Sequence, residues 1–448
     1  MAAELQPAFD HHRPPRLDVI QECVHCGFCL PTCPTYVLWG EEMDSPRGRI
    51  HLMAQGLDGA PMSESLVQHI DACLGCMACV TACPSGVRYD LLIEATRAQV
   101  ERRHRRPPAE RAIRSAVFAV FPYPSRLRLL RGPLSVYQRT GLPGLVRRSG
   151  VLERISPALA TMDAIAPPVT PRVRLPERVA ARGPRRAVVG MLTGCVQREF
   201  FPGVNAATAR VLALEGCDVV IPQAQGCCGA LSAHVGREEE ARRFARRLID
   251  TFEFAGVEQV VVNSAGCGSV MKEYGELLAD DPRYAERAGR LAGRVRDVSE
   301  LLTELGPAAE RHPLPVSVAY HDACHLGHAQ GVRAQPRELL RAVPGLVLRE
   351  IAEAELCCGS AGVYNLLNPQ PARELGDRKA ANVMRTGADL LVTANPGCLL
   401  QVGAALRRSG RDLPMAHTVQ VLDASLRGLA PSTLLRAPTP GSRPPPGR

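Results

Sequence analysis

Two cysteine runs of identical spacing constrain this chain more than any other feature of its sequence. The first reads Cys23-x2-Cys26-x2-Cys29-x3-Cys33-Pro34, and the second repeats that spacing from Cys73 to Pro84. Three thiolates at positions i, i+3 and i+6 of a tight turn wrap three irons of one cubane. The fourth cysteine precedes a proline that redirects the chain, so it points to the other cluster. The spacing therefore predicts two 4Fe–4S clusters.

The crossed arrangement assigns four cysteines to each expected cluster, with one ligand exchanged between the runs. The first cluster is then held by Cys23, Cys26, Cys29 and Cys83, and the second by Cys73, Cys76, Cys79 and Cys33. Zinc is the weaker alternative, because zinc sites pair two C-x2-C units at one tetrahedral centre. The run is that of bacterial two-cluster ferredoxins, and the helical pattern between the two runs favours an all-helical version.

A second cysteine block is built from two copies of one pattern. Cys324 follows Cys195 by 129 residues and Cys398 follows Cys267 by 131, with Cys-Cys-Gly at 227–229 and again at 357–359. A period this constant, in spacing and in residue type, indicates a duplicated domain. Strand and helix patterns alternate through each copy, which predicts a parallel α/β sheet in each.

Each copy places four cysteines near the carboxyl ends of its predicted strands, where ligands bind in parallel α/β sheets. The two sets are Cys195, Cys227, Cys228 and Cys267, and Cys324, Cys357, Cys358 and Cys398. Four thiolates suffice for one further iron–sulfur cluster per copy. A redox-active dithiol, a zinc ion and inert buried thiols remain alternatives. Cys217 falls outside both sets and is expected to be a buried structural thiol.

Several polar residues lie close to these cysteines in the sequence. His25 and Arg47 either donate hydrogen bonds toward the clusters or are solvated surface side chains. His321, His325 and His328 surround the first cysteine of the second copy. They are metal ligands, proton carriers or polar loop residues, and the last interpretation is favoured.

The patterns place the chain in an α plus α/β class and divide it into five segments. These are an all-helical two-cluster ferredoxin domain at 1–103, a helical segment and linker at 104–185, a first α/β Cys-Cys-Gly domain at 186–310, a second at 311–430, and a disordered tail at 431–448. The tail is assigned from its high proline content.

Composition excludes several classes of function. The 17 cysteines are an odd number and no signal peptide opens the sequence, so we expect reduced thiols in the cytoplasm. No apolar run reaches the roughly 18 residues of a membrane-spanning helix. Aromatic residues make up only 4% of the sequence, which argues against a nucleic-acid partner despite the net charge of +9. No G-x-G-x-x-G follows a strand, so neither FAD nor NAD is expected in this chain.

Beyond these patterns, the sequence resembles the iron–sulfur subunit of bacterial glycolate oxidase from about residue 17 to residue 430. The stretches that carry the resemblance are Cys23–Cys29, Gly40–Ile50, Cys83–Tyr89, Asn205–Leu212 and Leu356–Gly362. The resemblance implies a subunit of a 2-hydroxy acid oxidoreductase complex, with no catalytic residue in this chain. It implies FAD-containing partner subunits that oxidise glycolate to glyoxylate, and an electron acceptor in the inner membrane, where the complex would be peripheral.

The wider group that includes this family leaves alternatives open. It contains iron–sulfur subunits of lactate and glycerol-3-phosphate dehydrogenases, and heterodisulfide reductases that act at Cys-Cys-Gly sites. In the heterodisulfide enzymes each such domain ends in C-x-x-C, which supplies a fifth cysteine ligand. Here Gly268–Val270 and Leu399–Gln401 follow the distal cysteines, so that ligand is missing from the position. The difference argues against disulfide-reducing chemistry.

Overall fold

The computed structural model describes residues 7–436, and short helices form its N-terminal part. The third helix begins with a cap: Ser45 Oγ accepts a hydrogen bond from the Gly48 N–H at 3.0 Å, and Pro46 takes the first helical position. The helices are α1 Leu17–Gln21, α2 Pro34–Trp39, α3 Pro46–Leu57, α4 Glu64–Ala72, α5 Ala78–Ala82 and α6 Tyr89–Arg103, with a 3-10 turn at Glu42–Asp44.

Five further helices connect this part to the cysteine-rich copies. Their apolar residues pack outward onto both copies: Phe118 contacts a cluster that contains Val363 and Leu366, and Leu127 lies against Cys195 and Cys227. The segment is therefore fixed to the rest of the molecule by apolar burial. The helices are α7 Pro108–Val120, α8 Pro124–Arg139, α9 Leu142–Ser149, α10 Val151–Ile155 and α11 Pro157–Ile165.

The first cysteine-rich copy, here called repeat 1 (residues 187–305), contributes four strands to a five-stranded sheet, and the preceding segment Arg178–Val179 contributes β1. The strand order is β1-β3-β2-β4-β5. Strand β1 is antiparallel and the others are parallel. The strands are β1 Arg178–Val179, β2 Ala187–Met191, β3 Cys217–Val220, β4 Gln259–Val262 and β5 Val295–Asp297. The helices are α12 Val196–Phe200, α13 Pro202–Leu214, α14 Ala230–Ala233, α15 Glu238–Phe254, α16 Ala265–Lys272, α17 Tyr274–Leu277, α18 Ala285–Arg294 and α19 Val298–Leu305.

The second copy, repeat 2 (residues 317–426), has a parallel sheet of order β7-β6-β8-β9. This order matches β3-β2-β4-β5 of repeat 1, so the predicted duplication is confirmed. The strands are β6 Ser317–His321, β7 Val347–Glu350, β8 Leu390–Thr393 and β9 Met415–His417. The helices are α20 Ala334–Arg341, α21 Tyr364–Leu367, α22 Pro369–Arg385, α23 Pro396–Arg408 and α24 Thr418–Leu426, with a π-helical turn at His325–Ala329.

The two repeats share one hydrophobic core. Val211 on α13 and Val419 on α24 belong to the same buried cluster, which also includes residues of both sheets. The Arg210 guanidinium pairs with the Asp423 carboxylate across this contact, with Nη2 and Oδ2 2.6 Å apart. The cysteine sets of the two repeats are therefore held in fixed positions relative to each other.

Two ends of the chain complete the description. The predicted disordered tail begins at Pro431, whereas the structure has a short helix, α25, at Ser432–Leu435, whose leucines pack on the core of the repeats. Residues 437–448 of that tail lie outside the described residues. Between residues 7 and 436, no helix has both the length and the apolar character needed to cross a membrane.

Candidate functional site

The first predicted ligand set surrounds one cavity near the protein surface. The loop before α2 and the turn after α5 bring its four cysteines to this cavity, together with Cys79. Cys26 is exposed and the other three are half-buried. Soft thiolate donors of this kind are those that iron–sulfur clusters take. The cavity is lined by Cys23, Cys26, Cys29 and Cys83.

Arg47 fixes the loop that carries the first run. Its Nη1 donates to the carbonyl oxygen of His25 at 2.9 Å, and its Nε donates to Glu42 Oε1 at 2.6 Å. His25 and Gly27 both adopt positive φ, and a Cβ on Gly27 would lie 3.0 Å from Arg47 Nη1. Burial raises the pKa of Cys29 to about 11, and the backbone N–H of Arg47 opposes that rise. Arg47 is thus a loop anchor rather than a freely solvated side chain.

The second predicted ligand set lies deeper in the molecule. Burial raises the pKa of the Cys79 thiol well above its ordinary value, and the neighbouring Cys76, Cys73 and Cys33 thiols raise it further. A cluster here would be shielded from solvent, unlike one at the first set. All four members of the set are buried: Cys33, Cys73, Cys76 and Cys79.

Two buried arginines compensate negative charge at this deeper set. Arg49 Nη1 lies 3.9 Å from Cys33 Sγ, and Arg97 donates to the carbonyl oxygen of Cys73. Burial raises the pKa of the Cys73 thiol, but Arg49 and Arg97, together with hydrogen bonds from the Gly75 N–H and the Tyr89 hydroxyl, lower it by more in sum. The net shift is therefore downward, toward the thiolate that binds iron.

Sequence reasoning missed both arginines, although α3 carried a signal for one of them. Arg49 is three residues after Pro46 and four before Met53, so it shares the apolar, buried face of that helix. A charged residue on such a face needs a buried partner. Arg97 has the same kind of signal, because it lies four residues after Ile93 and three before Val100 on the buried face of α6. Its partners at Cys73 and His234 are distant in the sequence and were not predictable from it.

Within each repeat, the four predicted cysteines come together as a continuous series. In repeat 2, Cys324 Sγ lies 3.9 Å from Cys357 Sγ. Hydrogen bonds with Cys357 and Cys398 hold the pKa of Cys358 well below its usual value. Repeat 1 has the same series, in the order Cys195, Cys227, Cys228 and Cys267, joined by hydrogen bonds between the thiols.

The three histidines of repeat 2 are all buried, so the interpretation of them as polar loop residues is wrong. His328 Nδ1 lies 2.7 Å from Thr81 Oγ1, and its Nε2 lies 3.2 Å from the Glu355 carbonyl oxygen. His325 Nδ1 lies 3.7 Å from Cys324 Sγ. His325 and His328 lie on the π-helical turn that packs against α5, a long-range contact that the sequence does not show, and His321 ends β6.

The deeper ligand set directly adjoins the cysteines of repeat 2. Cys76 and Cys357 belong to one buried cluster, and Cys324 packs against it. Burial raises the pKa of the Cys76 thiol, and the nearby charge of Cys324 raises it further. The two repeats also meet at this place, because the rings of His234 and His325 stack with centroids 4.6 Å apart. The deeper ligand set and the cysteine sets of repeat 1 and repeat 2 therefore lie in one interior region of the structure.

Cys217 lies apart from these sets, as expected. It is fully buried at the start of β3, within the core shared by the repeats. Burial raises its pKa to about 11, so the thiol is unreactive at neutral pH. The prediction of a buried structural thiol is confirmed.

Models of known protein families match four parts of the chain. A 4Fe-4S dicluster domain matches residues 19–87, and a cysteine-rich domain matches twice, at 189–272 and 318–403. The linker region of the glycolate oxidase iron-sulfur subunit matches residues 109–166. The last match assigns a family to the helical segment, for which the sequence patterns alone predict helices and a linker but no function.

Curated relatives match over most of the chain. A probable glycolate oxidase iron-sulfur subunit of Bacillus subtilis is 39% identical over 400 residues, covering 87% of this chain and 89% of that protein. The glycolate oxidase iron-sulfur subunit of Escherichia coli is 37% identical, covering 91% of this chain and 94% of that protein. Lactate utilization protein A of Halalkalibacterium halodurans is 33% identical but covers only 52% of this chain. The chain therefore belongs to the glycolate oxidase iron–sulfur subunit family.

Proposed function

We propose that this chain is the electron-transfer subunit of a glycolate oxidase complex. It takes electrons from a partner FAD subunit, which oxidises glycolate to glyoxylate, and passes them to an acceptor at the inner membrane. The relay consists of two 4Fe–4S clusters held by the eight cysteines of the paired runs, as the crossed pattern assigns them. Family membership supports this function, because the two relatives that match most of the chain are named as glycolate oxidase iron-sulfur subunits, one of them as probable.

The observation that carries the proposal is the ordered depth of the cysteine sets. The first set opens to the surface at Cys26, the second is fully buried, and its Cys76 adjoins Cys324 and Cys357 of repeat 2. An electron that enters at the exposed set has a continuous series of thiolate sites leading inward. A structural zinc site would not require three such sets in succession.

The protein also supplies charge compensation where the relay is buried. A cluster with four thiolates carries net negative charge, and Arg49 and Arg97 lie beside the deeper set. Hydrogen bonds and charges around a cluster tune its reduction potential. The Gly75 N–H, 3.3 Å from Cys73 Sγ, and the Tyr89 hydroxyl, 3.7 Å from the same sulfur, add two donors.

The proposal assigns a role to each segment of the chain. The ferredoxin domain at 1–103 relays electrons, and the segment at 104–185 connects it to the repeats. The Cys-Cys-Gly domains at 186–310 and 311–430 each hold a further iron–sulfur centre on their four cysteines. Gly229 and Gly359 support this assignment, because both have positive φ next to the paired cysteines and let the backbone turn closely there.

Replacing Cys76 by serine tests the relay. In the assembled complex, Cys76→Ser should abolish glycolate-dependent dye reduction, because the buried cluster loses one ligand. Reduction of the partner flavin by glycolate should persist, since that step precedes the relay. The matched control is Cys217→Ala, which removes a buried thiol outside every set and should keep dye reduction. Full turnover in Cys76→Ser would contradict the proposal.

A further inference from the structure

The two repeats differ at one buried position beside their cysteines. When Cys195 is aligned with Cys324, Leu192 corresponds to His321, since each lies three residues before the cysteine. Both side chains are buried, with exposed fractions of 2% and 1%. An apolar side chain in repeat 1 is thus replaced by an imidazole in repeat 2, at the end of the equivalent strand.

His321 faces the thiols of its repeat. One ring nitrogen of His321 and the sulfurs of Cys358 and Cys398 all lie within 4.8 Å of one another. Neither ring nitrogen of His321 has a well-aligned oxygen or nitrogen partner within the described part of the chain. The ring interacts instead with the Cys358 thiol. Because a buried polar group needs a partner, the thiols of the cysteine set are what accounts for a histidine at this position.

His328 provides an internal comparison, because it is also buried near the same cysteines. Both of its ring nitrogens have partners, one at Thr81 and Arg333 and the other at Glu355. Its burial is explained by those hydrogen bonds. His321 has no such oxygen partners, and what lies within reach of its ring is the pair of thiols of Cys358 and Cys398.

We propose that His321 is a nitrogen ligand of an iron–sulfur centre in repeat 2, alongside the thiolates of Cys324, Cys357, Cys358 and Cys398. The inference rests on the proposed function only in assigning metal to that repeat. His321, Cys358 and Cys398 lie around a common point, and Cys357 and Cys324 continue the series from Cys358. Five donors in one series exceed the four positions of a tetrahedral zinc ion and favour a centre with several irons. Repeat 1, with Leu192, has an all-thiolate set.

A nitrogen ligand changes the properties of such a centre. Imidazole is neutral where thiolate is anionic, and histidine ligation raises the potential of iron–sulfur centres relative to cysteine ligation. The centre of repeat 2 should therefore have a higher reduction potential than that of repeat 1. The two copies are then not interchangeable, despite their common fold.

Pulsed EPR on the full chain, purified without oxygen and poised at a series of potentials, tests the assignment. The wild type should show a strongly coupled nitrogen-14 nucleus at one centre. His321→Leu, which copies the residue of repeat 1, should lose that coupling and the iron of one centre. The control His328→Gln should keep both. If the nitrogen coupling persisted in His321→Leu, the inference would be overturned. It would also be overturned if the wild type showed no nitrogen coupling and His321→Leu kept the iron content of the wild type.

His321→Cys keeps the test valid if His321→Leu does not fold. This variant should retain its iron, lose the nitrogen coupling and shift the midpoint potential of one centre downward. A potential that does not move would contradict nitrogen ligation. Zinc lost from His321→Leu with unchanged iron would overturn the iron assignment. None of these readouts depends on glycolate turnover. Failure of the proposed electron-transfer function would appear separately, as iron missing from the cysteines of the ferredoxin domain.

Discussion

Arg49 and Asp44 form a buried ion pair beneath the second cysteine run, with Nη2 of the arginine 3.1 Å from Oδ1 of the aspartate. Arg49 Nε also donates to the His69 carbonyl oxygen at 2.6 Å. The arginine therefore connects the capping turn before α3 with the end of α4. It holds in place the segments that carry Cys33 and Cys73.

Arg49→Met should lower the free energy of unfolding by about 3–5 kcal/mol, because it leaves a buried carboxylate without its guanidinium partner. Urea unfolding under anaerobic conditions measures this loss. Arg16→Gln is the control, since its pair with Asp18 is exposed to solvent and is expected to contribute little to stability. Similar losses in the two variants would contradict the role given to Arg49.

Gly236 permits the close approach of the ferredoxin domain to repeat 1. Its φ is +83°, and a Cβ at this position would lie 2.2 Å from the backbone oxygen of Arg97. Gly236→Ala should therefore displace α6, weaken the hydrogen bond from Arg97 to the His234 carbonyl oxygen, and reduce the iron content of the chain. Thermal unfolding and iron analysis measure both effects.

The matched control for that variant is Gly256→Ala. Gly256 also has positive φ, +61°, but a Cβ at this position would meet none of the described residues within 4 Å beyond its own chain neighbours. Its replacement should cost only the backbone strain of about 1–2 kcal/mol and should leave the iron content unchanged. If the two variants behaved alike, the close contact at Gly236 would not be what joins the domains.

His417 should make the stability of the repeats depend on pH. Burial lowers its pKa to about 4, below the usual 6.5. Its Nδ1 accepts from the Val419 N–H and its Nε2 donates to the Asn263 carbonyl oxygen, so the neutral form is the one that fits. The unfolded chain therefore takes up a proton more readily, and stability falls as the pH drops below 6.5.

From pH 7.5 to pH 5.5, the loss expected from this one histidine is about 1.3 kcal/mol. It is measured as the difference in unfolding free energy between wild type and His417→Gln across that range. The exposed His51 serves as control, and His51→Gln should retain the pH dependence of the wild type. A difference between wild type and His417→Gln that stays constant with pH would contradict the role given to His417.

The two proposed ferredoxin clusters should differ in their resistance to chelation. Cys26 is exposed, whereas every cysteine of the deeper set is buried. Oxidative treatment with a chelator should therefore release about four irons in a fast phase and the remainder slowly. Iron release followed over time measures the phases, and a single phase that covers all the iron would show that depth does not protect the second set.

The cysteine spacing was enough to predict the duplication, because both copies carry the same residues at a constant period. The ligand sets stay a prediction. The central strands were also predicted, since buried parallel strands form continuous apolar runs. The edge strands Val295–Asp297 and Met415–His417 were missed. Each has three residues and leads directly into a capped helix, which leaves too short a pattern to detect.

The environment of each site was less accessible to sequence reasoning. Arg97 reaches its partners across long sequence separations, and His325 is buried by a stacking contact with the other repeat. Such contacts depend on how the domains pack, which no local pattern records. Arg49 and Arg97, each on the buried face of its helix, had a signal that could have been recognised in advance, but the identity of their partners had none.

Metal analysis of the full chain, purified without oxygen, tests the central claim most directly. We expect at least about eight irons and eight acid-labile sulfides per chain, with about four irons fewer in Cys76→Ser. Zinc in place of iron, with no labile sulfide, would contradict the claim that the paired cysteine runs hold an electron relay.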